Sequence, residues 1–294
     1  MTRSSRGNRS RRRVETGAEI GYNPPMQLRV AAIVLGLGFW PTVALASPVN
    51  MERIATDDKK GWSATADLSG GVKQGNVDKR EVNFGGGVQY RTFHPVEDTR
   101  RPPFMKDRWL LSSNLSLVTF NGAPISDNGF MHVRYTRMVV PRAGPEVFIQ
   151  SQYNAFTNLR ARMLTGAGGR FVAVHRNEFG LWGGSGYMLE YELNTIASPD
   201  PHPRETFNHR WTSYVSMQID VLEDQLKLGS TTYVQPRFDD FRDIRILTGF
   251  QLEGSIVPMF SLGMDLQVAY DSRPPRTVKN TDISFTGFAR FRFG

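Results

Sequence analysis

The chain has 294 residues, 39% of them hydrophobic and 22% charged, which is too apolar for a disordered chain and enough for one large domain or two small ones. It contains no cysteine, so a disulfide framework, a thiolate metal site and a lipidated N-terminal cysteine are excluded. The formal charge of +8 is concentrated at one end: Arg3, Arg6, Arg9, Arg11, Arg12, Arg13 and Arg29 precede Ala31 against only Glu15 and Glu19, and because no basic helix or reader motif follows, no nucleic-acid partner is expected.

Residues 1–25 are arginine-rich, contain several serines and lack periodicity, as expected of a mis-called start or a disordered extension. Met26 to Arg29 is a short basic segment, Val30 to Trp40 is apolar, and Ala44-Leu45-Ala46 is a small-residue cleavage site. That succession describes a signal peptide over residues 26–46, too short for a spanning helix. Residues 47–61 read as a short periplasmic leader, and residues 62–294 as the structured domain.

From Trp62 onward the dominant period is two, the mark of strands with differently solvated faces. Trp62, Ala64, Ala66, Leu68 and Val72 alternate with Ser63, Thr65, Asp67 and Ser69. Val82, Phe84, Val88 and Tyr90 alternate with Glu81, Asn83, Gln89 and Arg91, and Trp109, Leu111, Leu115 and Leu117 with Arg108, Ser112, Asn114 and Ser116. Val147, Ile149 and Tyr153 oppose Gln150, Gln152 and Asn154, while Leu159, Ala161, Met163 and Phe171 oppose Arg160, Arg162 and Arg170. Trp211, Val215, Met217 and Ile219 alternate with Arg210, Thr212, Ser216 and Gln218. Leu262 to Tyr270 alternates around Asp265 and Gln267, and the last block sets Ile283, Phe285, Phe291 and Phe293 against Ser284, Thr286, Arg290 and Arg292.

About twelve such blocks, each near the ten residues of a tilted membrane strand, predict an all-β, closed antiparallel transmembrane β-barrel. Short turns at Pro141–Pro145, His175–Asn177, Val221–Gln225 and Val257–Phe260 contrast with longer polar connections at Leu193–Thr206, Pro236–Arg242 and Asp271–Asn280, as in a barrel inserted from the periplasm. His94–Lys106 is also long, and the sequence does not assign it to a rim. A soluble β-sandwich also alternates its faces. Aromatic residues near strand ends (Trp62, Tyr90, Trp109, Phe171, Tyr187, Trp211, Tyr270) and the closing Phe291-Arg-Phe293 favour a barrel in the bacterial outer membrane, although Gly294 follows the last phenylalanine.

In hydrocarbon every backbone polar group must be paired, so a sheet crosses only if it closes, and its polar phase then faces the lumen. That phase places Arg91, Arg108, Arg134, Arg160, Arg162, Arg170, Arg210, Lys227, Arg245, Arg290 and Arg292 inside, against Asp67, Glu81, Glu190, Glu253 and Asp265. Basic groups exceed acidic ones by roughly two to one, which suggests a small anion-leaning diffusion channel with a small anionic solute as its cargo. The alternative is a plugged structural or envelope-stress barrel whose arginines pair internally; about twelve strands give a bore compatible with either.

Several of these segments resemble the salt-induced outer-membrane protein family, classed as a domain of unknown function. The resemblance rests on Trp62 to Val72 with Gln74-Gly75-Asn76, on Phe156 to Arg160 leading into Gly166-Ala-Gly168-Gly169, on Gly183-Gly-Ser-Gly186-Tyr187 continuing to Glu190, and on Asn280-Thr-Asp282. It spans nearly all of residues 62–294, with Asn154 where many members carry an acidic residue. It implies an outer-membrane barrel linked to osmotic or envelope stress, and no catalytic residues.

The remaining candidates point away from an enzyme. His132 is followed at two residues by Arg134 rather than serine, so an outer-membrane phospholipase pair is not formed. Asp200, His202, Asp239, Asp240 and Asp243 could serve a loop-borne hydrolase, a less favoured reading than solvated loop groups. His94, His132, His175, His202 and His209 show no metal-ligand spacing, and Asp239, Asp240 and Asp243 lack a regular calcium loop. Gly166 to Gly169 is not a phosphate cradle, because no helix follows; these glycines and Gly85-Gly86-Gly87 are read as bends or close approaches. No cofactor is expected; the expected partners are outer-membrane lipid, periplasmic chaperones and the barrel assembly machinery.

Overall fold

Period-two segments bounded by glycine, proline and polar turns fold here into twelve antiparallel strands, which a computed structural model describes for residues 60–73, 79–95, 102–120, 123–196, 200–222, 225–276 and 278–294, the side chains of 71–73, 79–81, 120, 123–127 and 156 excepted. The strands are β1 (Gly61–Lys73), β2 (Lys79–Phe93), β3 (Met105–Phe120), β4 (Ala123–Arg137), β5 (Ala143–Asn154), β6 (Leu159–His175), β7 (Phe179–Asn194), β8 (Glu205–Val221), β9 (Leu226–Pro236), β10 (Ile244–Val257), β11 (Phe260–Asp271) and β12 (Thr281–Phe293). Each pairs with its sequence neighbours, and β1 pairs with β12, so the sheet is a closed barrel. The segments read from the sequence as extension, signal peptide and most of the leader lie outside the described residues.

Closure leaves no open edge, which answers the hydrogen-bond requirement of a hydrocarbon setting. The register also tilts the strands. A row of paired residues runs Trp62, Tyr90, Trp109, Tyr135, Val147, Ala167, Tyr187, Trp211, beginning beside the mouth that holds the chain ends and climbing towards the opposite mouth. Aromatic rings that look equivalent along the sequence therefore serve two different rims.

The short turns 138–142, 176–178, 222–225 and 258–259 share the mouth of the chain ends, while 195–204, 237–243 and 272–280 cross the other. The 94–104 connection belongs to the first mouth. There His175 Nε2 donates to the Pro103 carbonyl (3.1 Å), the Phe104 ring lies 4.6 Å from the His175 ring, and His94 Nε2 donates to the Met138 carbonyl (3.0 Å).

Burial is inverted relative to a soluble protein. Among the described residues 32 large hydrophobic side chains are exposed and 11 are buried, while Arg108, Arg210 and Glu190 are each 1% exposed. The apolar phase thus faces outward and the charged phase inward.

Glycines let inward rings fill the bore. Phe148 lies over Gly166, Tyr214 over Gly184 and Phe288 over Gly263, where a Cβ would overlap the ring. At Gly168 the obstacle is backbone: a Cβ would sit 2.5 Å from the Ser185 carbonyl oxygen and 2.8 Å from Gly186 Cα. Gly168→Val is expected to cost about 1–3 kcal/mol or more in urea-induced unfolding from vesicles, since the neighbouring strand cannot retreat without breaking its ladder.

Candidate functional site: a lumen crossed by ion pairs

The inward phase of β6, β7, β8, β10 and β11 converges on one ionic lattice towards the mouth with the long loops. Register alone places Arg162 opposite Glu192 and Arg245 opposite Asp271. Arg245 Nε lies 2.8 Å from Asp271, and its terminal nitrogens reach past β8 and β9 to Glu190 and Glu192 of β7. Glu190 also receives Arg210 at 2.8 Å and Arg162 at 3.7 Å, while Arg162 pairs closely with Glu192. Arg210 continues to Asp243 in the β9–β10 loop (2.9 Å), which Arg237 holds from the other side at 3.1 Å.

A second lattice sits at the closure seam. Arg290 of β12 faces Asp67 of β1 in register, with nitrogen–oxygen distances of 2.6 and 2.9 Å, and reaches Glu253 of β10 at 2.7 Å. Arg292 pairs with the same Glu253 and with Ser261. Lining the same inner cavity as Glu190 and Arg245, Tyr214 donates to Glu146 (3.0 Å), accepts from Arg170 (3.1 Å), and lies 5.5 Å from the Arg134 guanidinium, itself 3.7 Å from Glu146.

Two cavities adjoin the first lattice, of about 50 and 90 Å³, each room for a handful of waters. The inner one reaches His132, Tyr214 and Tyr233; the outer one is a vestibule under Pro274, Pro275 and Lys279. Both are bounded by Gln152, Arg162, Gln235, Arg245 and Leu247, so the Arg162–Glu192–Arg245 bridge is the partition between them.

The long loops over the vestibule are tied together. Asp200 accepts backbone N–H bonds from His202 and from Arg276, and Asp240 accepts from the Arg242 backbone and pairs with Arg273. These bonds hold both carboxyls below their usual range, and the Arg237 side chain holds Asp239 at about 2.

Of the residues expected in the lumen, Arg91, Arg108, Arg134, Arg170, Arg210, Arg290, Glu190, Glu253 and Asp265 are buried inside, and Asp67, Arg162, Lys227, Arg245 and Arg292 are partly buried there. The Glu81 side chain lies outside the described residues. Arg160 does not face inward. A bulge between Leu159 and Ala161 shifts the register, so buried Leu159 opposes Asn194 and Arg160 is exposed on the outer wall.

The two-to-one basic excess is also corrected. Glu146, Glu192 and Asp243 are buried inside, and Asp220 and Asp271 line the same face, bringing the interior close to balance. Glu146 and Glu192 share the parity of Gln150 and Glu190, so extending each strand by one or two residues finds them. Asp243 carries no such signal, because it enters from a loop. Asp239, Asp240 and Asp243, the hydrolase candidates, are each paired with an arginine.

The profile of the family described as protein of unknown function DUF481 matches residues 66–288, nearly the whole barrel. The chain belongs to this family. In this DUF481 member the match begins at Ala66, beside the seam carboxylate Asp67, and runs to Phe288, so it takes in both lattices apart from Arg290 and Arg292. No curated protein matches the chain in sequence. Among solved structures, the NanC porin aligns at 10% identity and TM-score 0.44, covering 77% of this chain and 98% of its own. The KdgM porin aligns at 9% and 0.41, covering 79% and 99%. The translocator domain of the autotransporter NalP from Neisseria meningitidis aligns at 11% and 0.43, covering 83% and 93%. At such scores these likenesses bear on neither the bore nor the cargo of this barrel.

Proposed function

We propose that the protein is an integral outer-membrane β-barrel whose bore is held shut at rest by its own ion pairs, a structural envelope barrel rather than an open diffusion pore. The observation that carries this is the reach of Arg245 across the interior to Glu190 and Glu192, with a water-sized cavity on either side of it. The inverted burial supports the membrane setting, and the signal-peptide pattern of residues 26–46 supports export across the inner membrane, after which periplasmic chaperones and the assembly machinery would receive the chain. The reading is non-enzymatic: the buried carboxylates of the lattices are engaged by guanidinium groups, which suits them to filling a lumen rather than to proton transfer. A role in osmotic or envelope stress, implied by the family resemblance, fits a barrel that strengthens the membrane without leaking.

The near balance of interior charge argues against a standing anion preference. A channel reading survives in gated form, because the two cavities lie in line and only side chains separate them. Planar-bilayer recording of the purified protein decides between them: no steady current at low voltage is expected, and a stable open conductance at rest overturns the closed reading.

The membrane setting has its own graded test. Leu111, exposed on the outer wall of β3 away from both strand ends, should tolerate arginine poorly, at about 2–4 kcal/mol in refolding titrations with vesicles, whereas Trp62→Arg beside the rim should cost about 0–1 kcal/mol. Equal costs at the two positions would remove the depth dependence that lipid imposes.

A further inference from the structure

We propose that the outer wall of β6–β8, with the β9–β10 loop, docks a phosphate-bearing lipid headgroup at the long-loop mouth. This rests on the membrane reading above and adds to it a particular lipid at a particular place.

The site is built from an aromatic shelf. The Phe238 backbone N–H donates to the His209 carbonyl (3.0 Å), which lays the β9–β10 loop along β8. Phe238 then stacks on Tyr187 with ring centroids 6.1 Å apart, and His209 lies 5.9 Å from Tyr187 and 5.8 Å from Phe207. Tyr187, Phe207, Trp211 and Phe238 are all exposed on the outer wall. Their polar ends are engaged within the shelf: Trp211 Nε1 donates to Ser185 Oγ at 2.6 Å, and the Tyr187 hydroxyl is hydrogen-bonded to His209. A shelf of rings with internally satisfied polar ends suits the boundary between acyl chains and headgroups.

Guanidinium groups fringe this shelf on its mouth side. Arg160, Arg204 and Arg242 are exposed, and among the described residues none forms an ion pair with a carboxylate. The acidic groups of the same rim are already engaged: Asp239 by Arg237, Asp240 by Arg273, Asp200 by two backbone N–H groups, and Glu205 by the Tyr191 hydroxyl. The bulge at Leu159 is what turns Arg160 outward, so an irregularity that looks like lost lumen charge supplies one arm of the fringe. At the opposite mouth the Trp62–Tyr90 and Trp109–Tyr135 ring pairs sit beside Arg137, but Asp107 holds that guanidinium at 2.9 Å. Forked donors left available match the bidentate geometry of a phosphate, and they are carried at the mouth-side ends of β6 and β8 and on the β9–β10 loop, the last two of which also carry Phe207, Trp211 and Phe238.

The test uses the full barrel folded into phosphatidylcholine vesicles, with and without phosphatidic acid, and reads co-purifying lipid by native mass spectrometry. Wild type should retain phosphatidic acid selectively. Arg160→Gln, Arg204→Gln and Arg242→Gln should each weaken retention by about fivefold, and Arg137→Gln at the other mouth should leave it unchanged. Equal retention by the triple variant and wild type overturns the proposal, as does binding of inorganic phosphate alone that is unaffected by Phe207→Ala and Phe238→Ala, since the shelf would then play no part. Failure of wild type to insert into phosphatidylcholine alone would instead overturn the membrane reading, so the two failures are distinguishable.

Discussion

Replacing Arg290 by alanine is expected to destabilise the barrel by about 3–5 kcal/mol, the cost of leaving buried carboxylates without their partner. Arg290 is 2% exposed and joins Asp67 on β1 to Glu253 on β10. It also sits on the seam where the first and last strands meet, and that seam is short: paired residues run only from Ala64–Phe293 to Leu68–Ala289, against Gly61–Arg91 to Lys73–Lys79 between β1 and β2. Breaking the staple at the shortest ladder should lower both the urea midpoint and the temperature at which the folded form is lost on gels. A charge-neutral variant carrying Arg290→Met with Asp67→Asn should recover part of the loss, because Glu253 then keeps Arg292 as its partner and the seam loses one charge of each sign. If the single and neutral variants unfold alike, charge pairing does not hold the seam.

The second large effect is expected from Glu190→Gln together with Glu192→Gln. These carboxylates hold Arg162, Arg210 and Arg245, and without them only Asp243, already shared with Arg237, and Asp271 of the lattice remain to face these guanidinium groups. Mutual repulsion in a poorly solvated bore should separate Arg162 from Arg245 and join the two cavities into one passage. Bilayer recordings should then show current where wild type shows none, with a reversal potential under a salt gradient shifted towards chloride, because the opened passage carries a net positive ring. Adding Arg162→Gln and Arg245→Gln should abolish the chloride preference while leaving the passage open. A double variant that stays silent at every voltage, though folded, would mean that the partition is closed by packing rather than by charge.

Much of the barrel was legible in the sequence because strand alternation is a local property. A two-residue repeat shows which face meets lipid without knowledge of any partner strand, so Leu111, Val147, Ile149 and Val215 were assignable to the outer wall from their own neighbours. The count of about twelve strands and the contrast between short turns and long loops followed from the same punctuation. Parity also placed Arg210, Glu190 and Arg290 inside. It failed at Arg160 and Leu159, where one extra residue in the strand reversed the phase, and a bulge leaves no mark in hydrophobic periodicity.

By itself, then, the amino-acid sequence determined that this chain makes a closed all-β barrel with an apolar outside and a charged inside. Tertiary structure alone decided that those charges meet. Arg290 and Asp67 are separated by 223 residues and Arg245 and Glu190 by 55, and their contact depends on strand register and on the tilt that carries each paired row from one mouth towards the other. Whether inward arginines line an open channel or lock across it is set by that long-range geometry, since the same alternating pattern is compatible with both.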